Sequence, residues 1–385
     1  MKKLKVMTVF GTRPEAIKMA PLVKALEANP AIESSVCVTA QHREMLDQVL
    51  DIFRIRPDYD LNIMQERQTL ADITTRALNG LYEVFGEAAP DIVLVHGDTT
   101  TTFAASLAAY YLKIKVGHVE AGLRTHDKYY PYPEEMNRKL TGAIADLHFA
   151  PTESNRDNLL REGINRDRIY VTGNTVIDAL STTVSRDFVF GDPFLKGFDF
   201  EGKRVIAMTA HRRENIGRPF EEIFSAVRRI ADEYPDIHIV YPVHLNPLVS
   251  EPAERILGNH PRIHLITPVN VQEMHNLMAR SYIVLTDSGG LQEEAPALGK
   301  PVLVLRNETE RPEAVRAGTV RLAGTRYESV YRTTKELLDR EDVYFKMAKA
   351  VNPYGDGKAS RRIVEGLLHG LGLSGSRPEE FAASY

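Results

Sequence analysis

Short apolar runs alternate with stretches of helical periodicity along almost the whole chain, and the alternation restarts half-way. Residues 4–10, 36–40, 92–96, 116–119 and 147–150 form the first series of runs, mostly rich in Val, Ile or Leu. Strands of a parallel sheet buried on both faces read this way. Helical spacing fills the gaps, as in residues 16–28 and 69–85. A second series follows at 204–209, 237–242, 263–266, 282–286 and 301–305. Two such arrays predict an α/β protein of two doubly wound, Rossmann-like domains rather than one large sheet. The expected division is residues 1–173 for the first domain and 174–358 for the second, with a loop-like stretch at 187–203. A last helical pattern, 359–371, either completes the second array or crosses back onto the first domain. The polar tail from Ser374 is expected to fray.

Lys and Arg number 48 against 52 Asp and Glu. This balance gives no basic excess for nucleic acid or an anionic membrane surface. The single cysteine excludes an internal disulfide and a Cys-based zinc cage. Cys37, inside Val36-Cys37-Val38, reads as a buried structural thiol. No apolar stretch reaches the ~18 residues of a membrane span. Met1-Lys2-Lys3-Leu4 could open a signal peptide, but Arg13 and Glu15 cut its apolar region short. The expectation is a soluble, cytoplasmic protein of more than one domain.

Ligands of open α/β sheets bind beyond the carboxyl ends of the strands, so polar residues just after each run are the candidates for chemistry. Gly11-Thr12-Arg13-Pro14-Glu15 follows the first run, with Pro14 suited to a first helical turn and Arg13 to an anion. It is neither GxGxxG nor a P-loop, which argues against a dinucleotide or a Walker-type triphosphate. A capped helix with an exposed arginine is the competing reading. In the second array Asp287-Ser288-Gly289-Gly290 runs from a strand into a helix, where glycines let a phosphate approach the open amides. Glu294 lies about a turn and a half further, within reach of a ribose hydroxyl pair. Asp98, Glu120, Glu134 and His211 sit at or beyond strand ends. Any one alone is a solvated loop residue by default, but several converging would serve acid–base chemistry. There is no HExxH, and the histidines lack ligand spacing, so no metal is expected.

Gly11-Thr12-Arg13-Pro14-Glu15, His96-Gly97-Asp98-Thr99, His118-Val119-Glu120-Ala121-Gly122-Leu123-Arg124, Pro133-Glu134-Glu135-Met136-Asn137-Arg138, Thr172-Gly173-Asn174, His211-Arg212-Arg213-Glu214-Asn215 and Asp287-Ser288-Gly289-Gly290 occur together and in order. From about residue 4 to residue 370 the chain resembles the non-hydrolysing UDP-N-acetylglucosamine 2-epimerases. The resemblance implies the two-domain fold of GT-B glycosyltransferases and glycogen phosphorylase, an active site in the interdomain cleft, and a cytoplasmic homodimer without cofactor. It also implies a C-terminal helix, about 359–372, that returns to the first domain ahead of the 373–385 tail.

By that resemblance Arg13 and Lys18 face the substrate, Asp98, Glu120 and Glu134 are the catalytic acids, and His211 approaches the diphosphate. Ser288, Gly289 and Gly290 hold phosphate, Glu294 holds ribose, and Arg311 completes the nucleotide site. Met274 stands where the family often carries an aromatic residue. Some members bind a second substrate molecule as an activator, and the matching residues here are Gln41, Arg67, Glu134 and His244, with Glu44 replacing an amide. The implied reaction interconverts UDP-N-acetylglucosamine and UDP-N-acetylmannosamine through loss and return of UDP, supplying units for bacterial surface polysaccharide. A glycosyltransferase, a hydrolysing epimerase and a non-catalytic nucleotide-sugar binder remain the alternatives.

Overall fold

A computed structural model of the chain describes residues 3–40, 43–65 and 67–383. The chain divides into two compact units. Residues up to Thr182 together with Tyr354–Ala382 form the first, and Thr183–Pro353 the body of the second.

In the first unit seven strands form one sheet: β1 (Leu4–Phe10), β2 (Ile32–Val38), β3 (Tyr59–Asp60), β4 (Ile92–His96), β5 (Lys115–Val119), β6 (Leu147–Ala150) and β7 (Ile169–Val171). Their spatial order is β3-β2-β1-β4-β5-β6-β7, with every pairing parallel. The chain thus winds one way from β1 to β3 and the other way from β4, so the sheet reverses between β1 and β4. Such a reversal leaves a crevice at the carboxyl ends of the two central strands. The central strands are apolar on both faces, as β4 shows with all of Ile92–His96 buried. Cys37 is buried on β2 of this sheet, and burial pushes its thiol up to about 12.

The second unit repeats the plan with β8 (Arg204–Thr209), β9 (Ile237–Pro242), β10 (Ile263–Ile266), β11 (Ile283–Thr286), β12 (Val302–Val304) and β13 (Val320–Leu322). The order is β10-β9-β8-β11-β12-β13, again all parallel, so the reversal falls between β8 and β11. One apolar cluster, built on Ile206, Phe220, Phe224, Tyr241 and Leu285 among others, fills this unit. Among the described residues no helix is long and apolar enough to cross a membrane.

Three strands escaped the sequence reading: β3, β7 and β13. They are two or three residues long and lie at sheet edges, too short for a periodic signal. The β2 strand starts at Ile32 rather than at residue 36, because Glu33, Ser34 and Ser35 pair with β1 although they are polar. The first unit ends after Thr182 instead of Gly173. Helix Thr175–Thr183 carries Asp178, whose carboxylate accepts the amides of Ala359 (3.1 Å) and Ser360 (2.7 Å) at the start of helix Ala359–Gly370. That last helix lies on the first unit, with Tyr170 OH 2.9 Å from His369 Nδ1. Nor does the tail fray throughout. Phe381 is buried and its amide donates to Val171 O at 2.8 Å, while Glu380 pairs with Arg166 at 2.7 Å. One apolar anchor in a polar string was enough to dock it.

Strands β4, β5 and β6 each carry a buried histidine: His96, His118 and His148. Burial penalises the imidazolium and lowers His96 and His148 from 6.5 to about 4 and His118 to about 3. Below pH ~6.5 the unfolded chain therefore binds more protons than the folded one. The stability these groups leave intact above that pH is lost as pH falls towards ~4, by roughly 1.4 kcal/mol per pH unit for each histidine. Urea unfolding midpoints should accordingly drop between pH 7 and pH 5, and His118→Gln should flatten the slope. An unchanged slope in that variant would remove His118 from this account.

Candidate active site

The first half-site stands over the reversal between β1 and β4. The turn after β1 enters helix Arg13–Glu27 through a capping box of Thr12 and Glu15, with Pro14 in the first turn. Glu15 is buried, and one of its oxygens accepts from Gly11 N (3.1 Å), Thr12 N (2.8 Å) and Thr12 Oγ1 (2.8 Å). The other accepts from Thr99 Oγ1 (2.7 Å) and Thr102 Oγ1 (3.3 Å), which lie beyond β4. Burial pushes this carboxyl up, against the pull of those hydrogen bonds. One carboxylate thereby ties the turn that carries Arg13 to the turn that carries Asp98. Gly11 is required where the turns meet: a methyl there would lie 2.0 Å from Thr39 Oγ1 and 2.6 Å from Thr101 Oγ1.

Arg138 meets one oxygen of Asp98, Oδ2, from Nε at 2.9 Å and Nη2 at 2.7 Å. Asn137 Nδ2 donates to the Asp98 carbonyl at 2.9 Å. Glu120, at the end of β5, accepts from Lys18 Nζ and from Asn174 Nδ2 (2.9 Å), with His96 Nε2 at 3.7 Å. Its backbone sits at φ 61°, in the left-handed region. A residue with a side chain gives up ~1–2 kcal/mol to stand there. Strain of this kind persists where the surroundings over-determine the conformation. Behind it His118 Nε2 lies 2.7 Å from the Gly97 carbonyl, and a methyl on Gly97 would come within 3.5 Å of Glu120 Oε1. The turn bearing Asp98 and the carboxylate of Glu120 are thus neighbours. Glu134 opens helix Glu134–Ile144, and its Oε2 is buried with no hydrogen-bond partner among the described residues. Arg13 stands exposed.

The second half-site repeats the device over β8 and β11. Asp287, fully buried after β11, accepts from His211 N (2.8 Å), Arg212 N (2.8 Å) and Asn215 Nδ2 (3.2 Å), all beyond β8. Its other oxygen is 3.3 Å from His211 Nδ1. The exposed His211 ring stacks on His244, centroids 5.9 Å apart. The Ser288 amide donates to Thr286 Oγ1 at 2.9 Å, so Ser288 offers an anion its hydroxyl rather than its N–H. Helix Leu291–Ala297 follows, and the first amides of a helix have no partner within it. A methyl on Gly289 would lie 3.9 Å from Arg212 Nη2 and 4.0 Å from Arg311 Nη2. Two guanidiniums therefore face this backbone, Arg311 being held by Glu293. A methyl on Gly290 would come within 3.2 Å of Glu294 Oε1. Met274 is partly buried on helix Val271–Arg280.

Among the expected site residues the structure thus joins Lys18 to Glu120, and Ser288, Gly289, Gly290, Glu294 and Arg311 to one another. Of the activator set, Gln41 and the Glu44 side chain lie outside the described residues. Arg67 is exposed in the first unit, and His244 adjoins His211 in the second. Glu15, Asn174, Arg138, Asp287 and Arg212 were not assigned roles from sequence. A Thr-x-x-Glu spacing was the available signal for Glu15. The others needed the strand order.

A family model for UDP-N-acetylglucosamine 2-epimerase matches residues 24–368. The UDP-N-acetylglucosamine 2-epimerase of Bacillus subtilis (strain 168) is 63% identical over 382 residues, covering 99% of both chains. A crystal structure from Listeria monocytogenes, of a protein described as such an epimerase, superposes with a TM-score of 0.93 at 55% identity, covering 99% of this chain and 100% of that one. The Neisseria meningitidis UDP-GlcNAc 2-epimerase, solved bound to UDP-GlcNAc, gives 0.85 at 51% identity, covering 95% of this chain and 100% of that one. The chain belongs to the UDP-N-acetylglucosamine 2-epimerase family.

Proposed function

We propose that this epimerase interconverts UDP-N-acetylglucosamine and UDP-N-acetylmannosamine without releasing the sugar, by eliminating UDP and adding it back. The observation that carries the reading is the set of strand-end acids in the first unit, Asp98 and Glu120 each beside a cation, in a chain whose second unit sets two guanidiniums beside Gly289.

C2 of the sugar has no neighbouring carbonyl, so its proton is far beyond a carboxylate whose ordinary pKa is about 4. Loss of UDP first changes this. As the C1–O bond breaks, C1 becomes oxocarbenium-like and the C2 proton becomes acidic. A carboxylate, Asp98 or Glu120, takes that proton, the C2–H electron pair forms the C1–C2 double bond, and 2-acetamidoglucal results. A second acid then returns a proton to the opposite face of C2, and UDP re-adds at C1. Two faces call for two acids, which a single-base transferase would not need. The second unit would hold the departing diphosphate with His211, Arg212, Arg311 and the amides at the start of helix Leu291–Ala297. Glu294 would receive the ribose hydroxyls.

Incubating the purified chain with UDP-N-acetylglucosamine alone, with products resolved by NMR, tests this. The expected product is UDP-N-acetylmannosamine. Stoichiometric UDP with free N-acetylmannosamine would show a hydrolysing enzyme instead. Asp98→Asn and Glu120→Gln should each lower turnover by roughly 100-fold or more with the fold intact by circular dichroism. Near-normal turnover in both would take them out of the mechanism. A methyl on Gly289 meets only ordinary contacts, so the thermal midpoint of Gly289→Ala should hold while its affinity for UDP falls. Unchanged UDP affinity would place the diphosphate elsewhere.

A further inference from the structure

Glu294 is not an isolated carboxylate. Its Oε2 lies 3.1 Å from Nε2 of His275, which is 1% exposed on helix Val271–Arg280. The other ring nitrogen, Nδ1, lies 2.7 Å from Oγ1 of Thr183, the first residue of the second unit and fully buried. A carboxylate only accepts, so Nε2 carries the proton towards Glu294, while Nδ1 meets the Thr183 hydroxyl on the other side of the ring. Thr183 is itself anchored. Its carbonyl accepts from Asn276 Nδ2 at 2.7 Å, and Asn276 Oδ1 accepts the Ser185 amide at 3.0 Å. A buried chain, Thr183 to His275 to Glu294, therefore ends on one oxygen of the carboxylate. The second oxygen is left on the Gly290 side, where a methyl would crowd it at 3.2 Å.

The terminal torsion of a glutamate is broad and soft. A vicinal diol needs both carboxylate oxygens in a fixed plane, so a freely turning carboxylate would lose part of each hydrogen bond to the cost of ordering it. Tying Oε2 from behind removes that freedom before ligand arrives. We infer that His275 is a positioning residue for nucleoside recognition: it locks the Glu294 carboxylate in the orientation that receives the ribose hydroxyls, and so sets the preference for a ribonucleotide over its 2′-deoxy counterpart. This rests on the reading of Glu294 as the ribose acid.

Calorimetric titration of the full chain with UDP and with 2′-deoxy-UDP tests it. The unmodified protein should favour UDP by roughly tenfold or more, as expected for a lost hydrogen bond to a charged group. Glu294→Ala should bring the two affinities together. His275→Leu should shrink the ratio several-fold by weakening UDP more than 2′-deoxy-UDP, which keeps only its 3′-hydroxyl for Glu294. His275→Gln, which keeps an amide donor near Nε2, should recover part of the ratio, and it carries the test should the leucine variant not fold. If Glu294→Ala retains the full preference, Glu294 is not the ribose acid and the underlying reading fails. If Glu294→Ala abolishes the preference while the His275 variants keep it, the positioning role is overturned and the ribose reading stands. Equal weakening of both ligands in the His275 variants would likewise overturn it, since a general structural role predicts that pattern.

Discussion

Each unit is organised around one buried carboxylate at the reversal point of its sheet. Glu15 joins the turns beyond β1 and β4, and Asp287 joins those beyond β8 and β11. Burying a carboxylate costs several kcal/mol unless its lone pairs are met by well-aligned donors. For Glu15 backbone amides and hydroxyls from two turns supply them, and for Asp287 the His211 and Arg212 amides and the Asn215 side chain meet one oxygen; charge-assisted hydrogen bonds are the stronger kind. The strand order brings the turns near each other, and the carboxylate fixes their spacing. The groups proposed for chemistry stand on those turns: Arg13 and Asp98 in the first unit, His211 and Ser288 in the second.

Rigidity of that kind suits a reaction in which proton transfer and C–O cleavage must be aligned to fractions of an ångström. The first unit shows where it is strongest. Glu120 keeps a left-handed backbone while Lys18 and Asn174 hold its carboxylate, and Arg138 holds Asp98 by its Oδ2. In the second unit Arg311 is gripped by Glu293 and Arg212 by the Asp287 carbonyl (3.3 Å), so both guanidiniums near Gly289 are set before an anion arrives. Preorganised charge of this sort contributes more in a partly buried site than in water.

Much of this was legible in the chain. The two series of apolar runs gave ten of the strands, since a strand buried on both faces must be apolar throughout. Asp98, Glu120, His211 and Ser288 do stand just beyond the carboxyl ends of their strands, as the runs before them indicated. The missing parts are those that need a partner far along the chain. Nothing near Glu15 in sequence says that it meets Thr99 and Thr102. Nothing near His275 says that it links Glu294 to Thr183. Those contacts are products of strand order and helix packing, so no local pattern records them. The docked tail was lost for a related reason, Phe381 being a single apolar residue without periodicity.

The claim at the centre of the account is that a carboxylate removes the C2 proton after UDP has left. Running the reaction in heavy water and reading the product by NMR addresses it directly. An acid in contact with solvent exchanges its proton between the two half-reactions, so UDP-N-acetylmannosamine should carry deuterium at C2 with the sugar still joined to UDP. A product that keeps protium at C2 would mean internal hydride return, and the elimination mechanism would be wrong.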